Sequence, residues 1–280
     1  MERIAYRIMV LAIDNQVRAV ANHLLNYGVQ ETLTNLEGIV SRNAINAAYA
    51  ELYYAVGQKH KEWTDADVAE RFPARKSMQL KDEEDDRLRR RRPNPANIQV
   101  ETGFEVGFFN SQWLARLKGI VNNIDVIERV NSVKSTIIKS MRKSISDAQQ
   151  QFVSIRKITA RFRQDFNRIT PVQAQRVVRT EVTYVNNIAA EQSSVETGLE
   201  LKKIWIHTLD TRTRDTHRSV SAKPIDSNGK FKVGGKLMDR PGDPNGGLSE
   251  IINCRCSVAY IPADDYEDLL DSQGNFIGLN

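Results

Sequence analysis

Apolar residues return at helical spacing over the first sixty positions: Ile4, Ile8, Leu11, Val17, Val20 and Leu24, then Leu33, Leu36, Ile39, Val40, Ala44, Ala47, Ala48 and Leu52. Three- and four-residue intervals, with asparagine and arginine on the faces between, predict amphipathic helices interrupted near Gly28. The same period fills 111–200, first as Val126, Val130, Val133, Ile137, Ile138, Met141 and Ile145, then as Phe152, Ile155, Ile158, Phe162 and Phe166. Thr170-Pro171 reads as the N-cap and first residue of a further helix, because proline lacks an N–H that the first turn does not use; that helix should end at Gly198. Beyond Gly198 the pattern changes. Leu201, Ile204, Trp205 and Ile206 predict a strand, 213–220 a short helix, Ser227-Asn228-Gly229 a turn between extended pieces, and 254–261 a closing strand. The fold class expected is α+β: mostly helical N-terminal and middle regions, then a small C-terminal α+β unit containing a Cys-x-Cys strand.

One stretch interrupts this pattern. From Lys81 an acidic block is followed by the run Arg89, Arg90, Arg91 and Arg92 and by two prolines, a composition that buries no apolar area and stops a helix. It divides the chain into an N-terminal helical region (1–80), a charged linker (81–102), a helical domain (103–200), an α+β unit (201–262) and an acidic tail (263–280).

With 280 residues, 40% of them hydrophobic, the chain can bury a sizeable core. Its net charge of +5 admits nucleic acid or an acidic partner without requiring either. No uncharged apolar run approaches the ~20 residues of a membrane span, and the first residues form no signal-like apolar core, so a soluble, unexported chain is expected. The two cysteines, Cys254 and Cys256, are too few for a disulfide framework and too close in sequence to bridge comfortably, which favours a reducing compartment.

The chemistry concentrates in 205–256. On an extended segment Cys254 and Cys256 point to one side, about 6–7 Å apart, a separation that two ligands of one tetrahedral ion can use. His217 is the best third ligand, with Asp210, Asp215 or His207 as a fourth, and thiolate with imidazole selects zinc, here as a structural ion. The bland alternative is a packed pair of free thiols. In Asp210-Thr-Arg-Thr-Arg-Asp-Thr-His217-Arg, Asp210 suits a turn, Thr213 a helix cap and Asp215 the start of a short helix, while Arg212, Arg214 and Arg218 can face phosphate. Glu181, in Arg179-Thr180-Glu181, can pair with a neighbouring arginine, which matters only if that pair is buried and bidentate.

In order, Arg179-Thr-Glu181, Gly198, Lys203-x-Trp205, Asp210-x-Arg-Thr-Arg-Asp215-x-His217-Arg, Met238-x-x-Pro-Gly-Asp-Pro and Glu250-x-Ile-Asn-Cys254-Arg255-Cys256 resemble the phage Mu F-like head morphogenesis proteins, minor capsid proteins of tailed phages. The resemblance covers about 132–262. Some members carry thiols where this chain has Arg214 and His217, which leaves His217, Cys254 and Cys256 as the surviving ligand set in this chain. What it implies is a low-copy virion protein in the head interior or at the portal vertex, and in the host cytoplasm during assembly. Its partners would be the portal protein, the major capsid protein or both, and packaged double-stranded DNA. The basic run Arg89–Arg92 is the candidate DNA contact.

An enzyme on the C-terminal unit is the competing expectation. A metal-dependent nuclease would use His217, Asp215 and Asn253, and an ADP-ribosyltransferase-like unit would use Arg179 for a phosphate and Glu250 as catalytic carboxylate. Neither has its full complement: no second His base stands beside the metal-like cluster, and no Glu-x-Glu or clear Ser-x-Ser partner is present. A structural, non-enzymatic role is expected.

Overall fold

The computed structural model describes residues 2–71, 111–220, 222–263, 270, 272 and 273. The linker 81–102, with Arg89–Arg92, and most of the acidic tail lie outside the described residues. The chain forms two compact units: Met1–Val56 with Ser111–Val182, and the described residues of Gly57–Asn110 with those of Thr183–Asn280. Helices α1 (Glu2–Ile39), α2 (Arg42–Arg71), α3 (Ser111–Val121), α4 (Ile124–Gln151) and α5 (Ile155–Glu196) precede a small β-containing region, so the α+β class holds. No helix among the described residues is long and apolar enough to cross a membrane.

In the first unit the stripe Ala5, Met9, Ile13, Val17, Val20 and Leu24 of α1 is buried, as are Val130, Ile137, Met141 and Ile145 of α4 and Ile158, Phe162 and Phe166 of α5. Gly28 interrupts α1 with φ of 82°, a left-handed angle that suits a residue without Cβ. Asn123 starts α4 by accepting from the Asp125 N–H at 2.9 Å.

Proline 171 does not open a helix. It lies inside α5, which runs unbroken from Ile155 to Glu196. The apolar stripe explains this: Ile158, Phe162 and Phe166 continue in register to Ala174 and Val178, all buried, on one i, i+4 row. At about 2 kcal/mol per buried large side chain, that row outweighs the roughly 3 kcal/mol cost of an interior proline.

Glu181 pairs with Arg129, 52 residues away, rather than with a neighbour in sequence. The Arg129 Nε donates to both carboxylate oxygens, at 3.0 and 3.2 Å, and its Nη2 donates to Glu181 at 3.1 Å. The Tyr53 hydroxyl donates to the same carboxylate and accepts from Arg129 at 2.9 Å. Burial pulls the Arg129 pKa down, but Glu181 and Tyr53 outweigh it and hold the guanidinium above its usual value. Burial also raises the Tyr49 phenol well above its usual range, with Glu181 adding to the effect.

In the second unit, β1 (Leu201–Ile206) is the central strand of an antiparallel sheet of order β2-β1-β5, with β2 at Pro224–Asp226 and β5 at Ser257–Pro262. Leu201 pairs with Pro262 and Ile206 with Ser257. Because β5 begins at Ser257, the Cys pair sits in the loop immediately ahead of it. A hairpin of β3 (Phe231–Val233) and β4 (Lys236–Met238) turns at Gly234-Gly235, and a 3-10 turn (Pro244–Gly246) leads into α7 (Gly247–Ile251). The short helix α6 is confined to Asp215–Arg218. Its N-cap position is Arg214, not Thr213, whose hydroxyl donates to the Thr208 carbonyl instead. Lys203 of β1 is buried; desolvation lowers its pKa, and it donates to the Asp239 carbonyl at 2.8 Å beside the Phe231 ring.

The final turns of α2 and α5 belong to this unit as well. Buried Lys61 is held by Asp65 at 2.8 Å and Glu196 at 2.7 Å. His60 stacks on Trp63 with ring centroids 5.5 Å apart, and burial pushes its pKa down to about 4. A histidine with a depressed folded pKa contributes stability that is complete above its unfolded value near 6.5 and is lost as pH falls from there toward 4. Between pH 7 and pH 5 the protein should therefore lose about 2 kcal/mol that His60→Phe retains. Urea melts of both proteins at the two pH values measure it, and equal losses would contradict the assignment to His60.

Candidate metal centre

Three elements deliver the cluster. Helix α6 presents His217, the loop after α7 presents Cys254, and the residue before β5 is Cys256; all three are buried. Their donor atoms lie within 4.8 Å of one another, so the group can hold a metal ion. The His217 Nδ1 is 3.4 Å from the Cys256 Sγ and 3.7 Å from the Cys254 Sγ. A tetrahedral zinc with its ordinary bond lengths needs nitrogen–sulfur edges of about 3.6 Å, so the donors already stand near the required spacing.

The other imidazole nitrogen is committed. His217 Nε2 lies 3.0 Å from Glu250, whose carboxylate also accepts from Thr216 at 2.9 Å. With Nε2–H donated to a carboxylate, Nδ1 keeps its lone pair toward the thiols, which is how metal-ligating histidines are fixed in tautomer and orientation. Trp205 packs its ring edge-on to His217 at 5.2 Å and to Phe231 at 5.4 Å, closing one side with a rigid wall.

The carboxylate is in turn seated against glycine. A Cβ on Gly234, at φ of 55°, would come within 2.5 Å of Glu250 Oε1, and one on Gly246 within 3.2 Å of the Glu250 Cβ. Thr183 and Asn187 of α5 anchor the Cys loop: Thr183 donates to the Cys254 carbonyl at 2.6 Å, and Asn187 donates to the Cys256 carbonyl at 3.2 Å and accepts from the Val258 N–H at 2.8 Å.

The two thiols hold a proton unequally. A hydrogen bond from Cys254 draws Cys256 down, whereas the same bond together with burial pushes Cys254 up. Both are free cysteines. The shared bond thus favours the thiolate, the form a metal requires, at Cys256 rather than Cys254.

Asp210 is not part of the cluster. It forms a bidentate pair with Arg255 at 2.6 and 2.9 Å, and those bonds, then the Arg212 N–H, hold its carboxyl well below the usual carboxylate range. The Asp210 carbonyl also accepts from Arg218 at 2.8 Å. Its task is therefore to brace the loop. Asp215 has a 99% exposed side chain and stands apart from the buried donors. Arg214 is spent on the Ile252 carbonyl at 2.6 Å, so it braces the cysteine loop. Arg179 is half-buried on α5 in the first unit. The donors border a small pocket shared with Arg212, Thr213, Arg214, Asn253 and Arg255. Glu250 stands out in the sequence as a residue of the structural motif, and as a carboxylate only in the competing transferase reading; its pairing with His217, 33 residues away, has no local signal.

No family model matches the chain, and no solved structure matches it. Over 92 residues, 32% of this chain and 19% of the other, it is 32% identical to the NAD(+)--arginine ADP-ribosyltransferase EFV of Enterococcus faecalis. Over 93 residues, 32% of this chain and 30% of the other, it is 32% identical to the minor head protein GP7 of Bacillus phage SPP1. The chain therefore spans less than a third of the length of either curated relative.

Proposed function

We propose that this chain is a minor head protein of a tailed phage, of the Mu F-like type, that docks at the portal vertex or head interior and assists assembly or the handling of packaged DNA. The observation that carries this reading is the ordered motif from Arg179 to Cys256, joined to the partial similarity to the SPP1 minor head protein. In this reading the metal is structural zinc, held by His217, Cys254 and Cys256, and it ties α6 to the start of β5 in a unit with little core of its own. A particle reconstruction without imposed icosahedral symmetry tests the placement. Density for the chain at the portal vertex or inside the head is the expected result; an even distribution over every capsomer would reject it.

Similarity to the Enterococcus transferase supports a second reading, an ADP-ribosyltransferase-like unit. Against it, the Glu250 carboxylate is occupied by His217 and Thr216, and its side chain is only 12% exposed, whereas a catalytic carboxylate must face its substrate. Turnover of nicotinamide cofactor that vanished in a folded Glu250→Gln protein would favour the transferase over the head protein.

A further inference from the structure

Charge is unevenly placed along this chain. Residues 134–168 hold nine basic and two acidic side chains, a net of +7, whereas the whole chain carries +5, so everything outside this stretch is net acidic by two. That stretch is the helical hairpin formed by the end of α4 and the start of α5, and it lies wholly within the first unit.

Both acids are already neutralised inside the hairpin: Asp147 pairs with Lys143 at 2.9 Å, and Asp165 pairs with Arg161 at 3.0 Å and accepts from Ser144 at 2.7 Å. Lys139, Arg142, Arg156, Lys157, Arg163 and Arg168 are exposed and form no ion pair among the described residues. The bonds Ser144–Asp165 and Ser140–Gln173 set the two helices side by side and antiparallel. Arg161 and Arg168 lie one turn either side of Asp165, with Lys157 a turn further, while Lys143 adjoins Ser144 with Lys139 one turn away. Two basic rows thus flank one seam. From Lys157 to Arg168 the row is about 16 Å long, the length of about five base-pair steps.

We infer that this seam of the α4–α5 hairpin is a binding surface for the sugar-phosphate backbone of double-stranded DNA, with Lys139, Lys143, Lys157, Arg161 and Arg168 as the contacting cations. Exposed amides on the same two helices, Gln149, Gln150, Gln164 and Asn167, can add phosphate-directed donors without base specificity. A membrane surface would instead need an exposed apolar face beside the cations. Here Ile138, Met141, Phe162 and Phe166 are buried in the unit, and the exposed apolar side chains nearby, Val153 at the turn and Val172 one turn past Arg168, are isolated and form no face. The surface deepens the proposed head-interior role, and binding in solution reads it independently of where the protein sits in a particle.

The test is fluorescence anisotropy of the full chain with a labelled duplex of about 20 base pairs, titrated with salt. Unaltered protein should bind with an affinity that falls steeply as salt rises. Combining Lys139→Gln, Lys143→Gln, Lys157→Gln and Arg168→Gln should weaken binding by about tenfold or more and flatten the logarithmic salt slope by about three. The charge-keeping set Lys139→Arg, Lys143→Arg, Lys157→Arg and Arg168→Lys should retain both affinity and slope. The pair Lys139→Gln with Lys157→Gln, which disturbs no ion pair, should give about half the slope change. Each of these outcomes would overturn the inference: no duplex binding by the unaltered chain, loss of binding in the charge-keeping set, an unchanged slope in the Gln pair, or binding to phosphatidylserine vesicles in place of the duplex. Neutralising Arg89–Arg92 should cost less than the Gln set; the reverse order would also overturn it.

Discussion

If the proposed zinc is bound, a chelator is expected to unfold the second unit while leaving most helical signal in place. Purified protein should carry about one zinc per chain. Three ligands spread over 39 residues of sequence then become a single constraint on a loop-rich region that packs on Trp205, Phe231, Val233, Met238, Ile251 and Val258. Structural zinc contributes about 10–16 kcal/mol in small metal domains, which is as large as the whole stability of a unit this size. A chelator should lower the melting transition followed through Trp205, and Cys256→Ser should produce the same shift without chelator. Loss of His217 Nδ1 in His217→Phe should match it, since that ring keeps the packing on Trp205 but not the ligand. Metal analysis that found no zinc, with both thiols titrating freely in the native protein, would contradict the assignment.

Removing Glu181 should be the most damaging single change in the first unit. Its carboxylate is the shared acceptor for Arg129 and Tyr53, and both members of the ion pair are buried, with side chains 9% and 2% exposed. Glu181→Ala strands a guanidinium that cannot neutralise itself, a change that costs about 3–5 kcal/mol at buried pairs. Replacing both partners, as Arg129→Met with Glu181→Leu, should cost less than Glu181→Ala alone, because no charge is then left without a counterion. Urea denaturation of the two variants gives the comparison. A double variant less stable than the single one would mean that the network acts through shape and not through charge.

Much of the helical framework was legible in the sequence, because amphipathic periodicity and glycine act over a few residues. The break at Gly28, the strand at 201–206 and the turn at 227–229 all follow from such short-range signals. Proline 171 misleads for the same reason. Its local preference says helix start, and only the buried row from Ile158 to Val178 says that the helix continues. The metal-like cluster was half legible: the spacing of Cys254 and Cys256 nominates ligands, and His217 is the nearest soft-ligand neighbour in the motif. Asp210 was misread because its partner, Arg255, is 45 residues distant. Glu181 is legible as the partner of an arginine, but Arg129 and Tyr53 are not, since they come from two other helices and meet it only after packing.

The 36 residues between His217 and Cys254 are not a spacer. Within them lie the Gly234 turn and Glu250, which together hold the histidine ring in register. A shortened loop could keep all three donors and still lose the selectivity of the centre, because a ring free to rotate offers either nitrogen to whatever ion arrives. The choice of ion at this cluster would thus be written partly into a hairpin turn that never touches it.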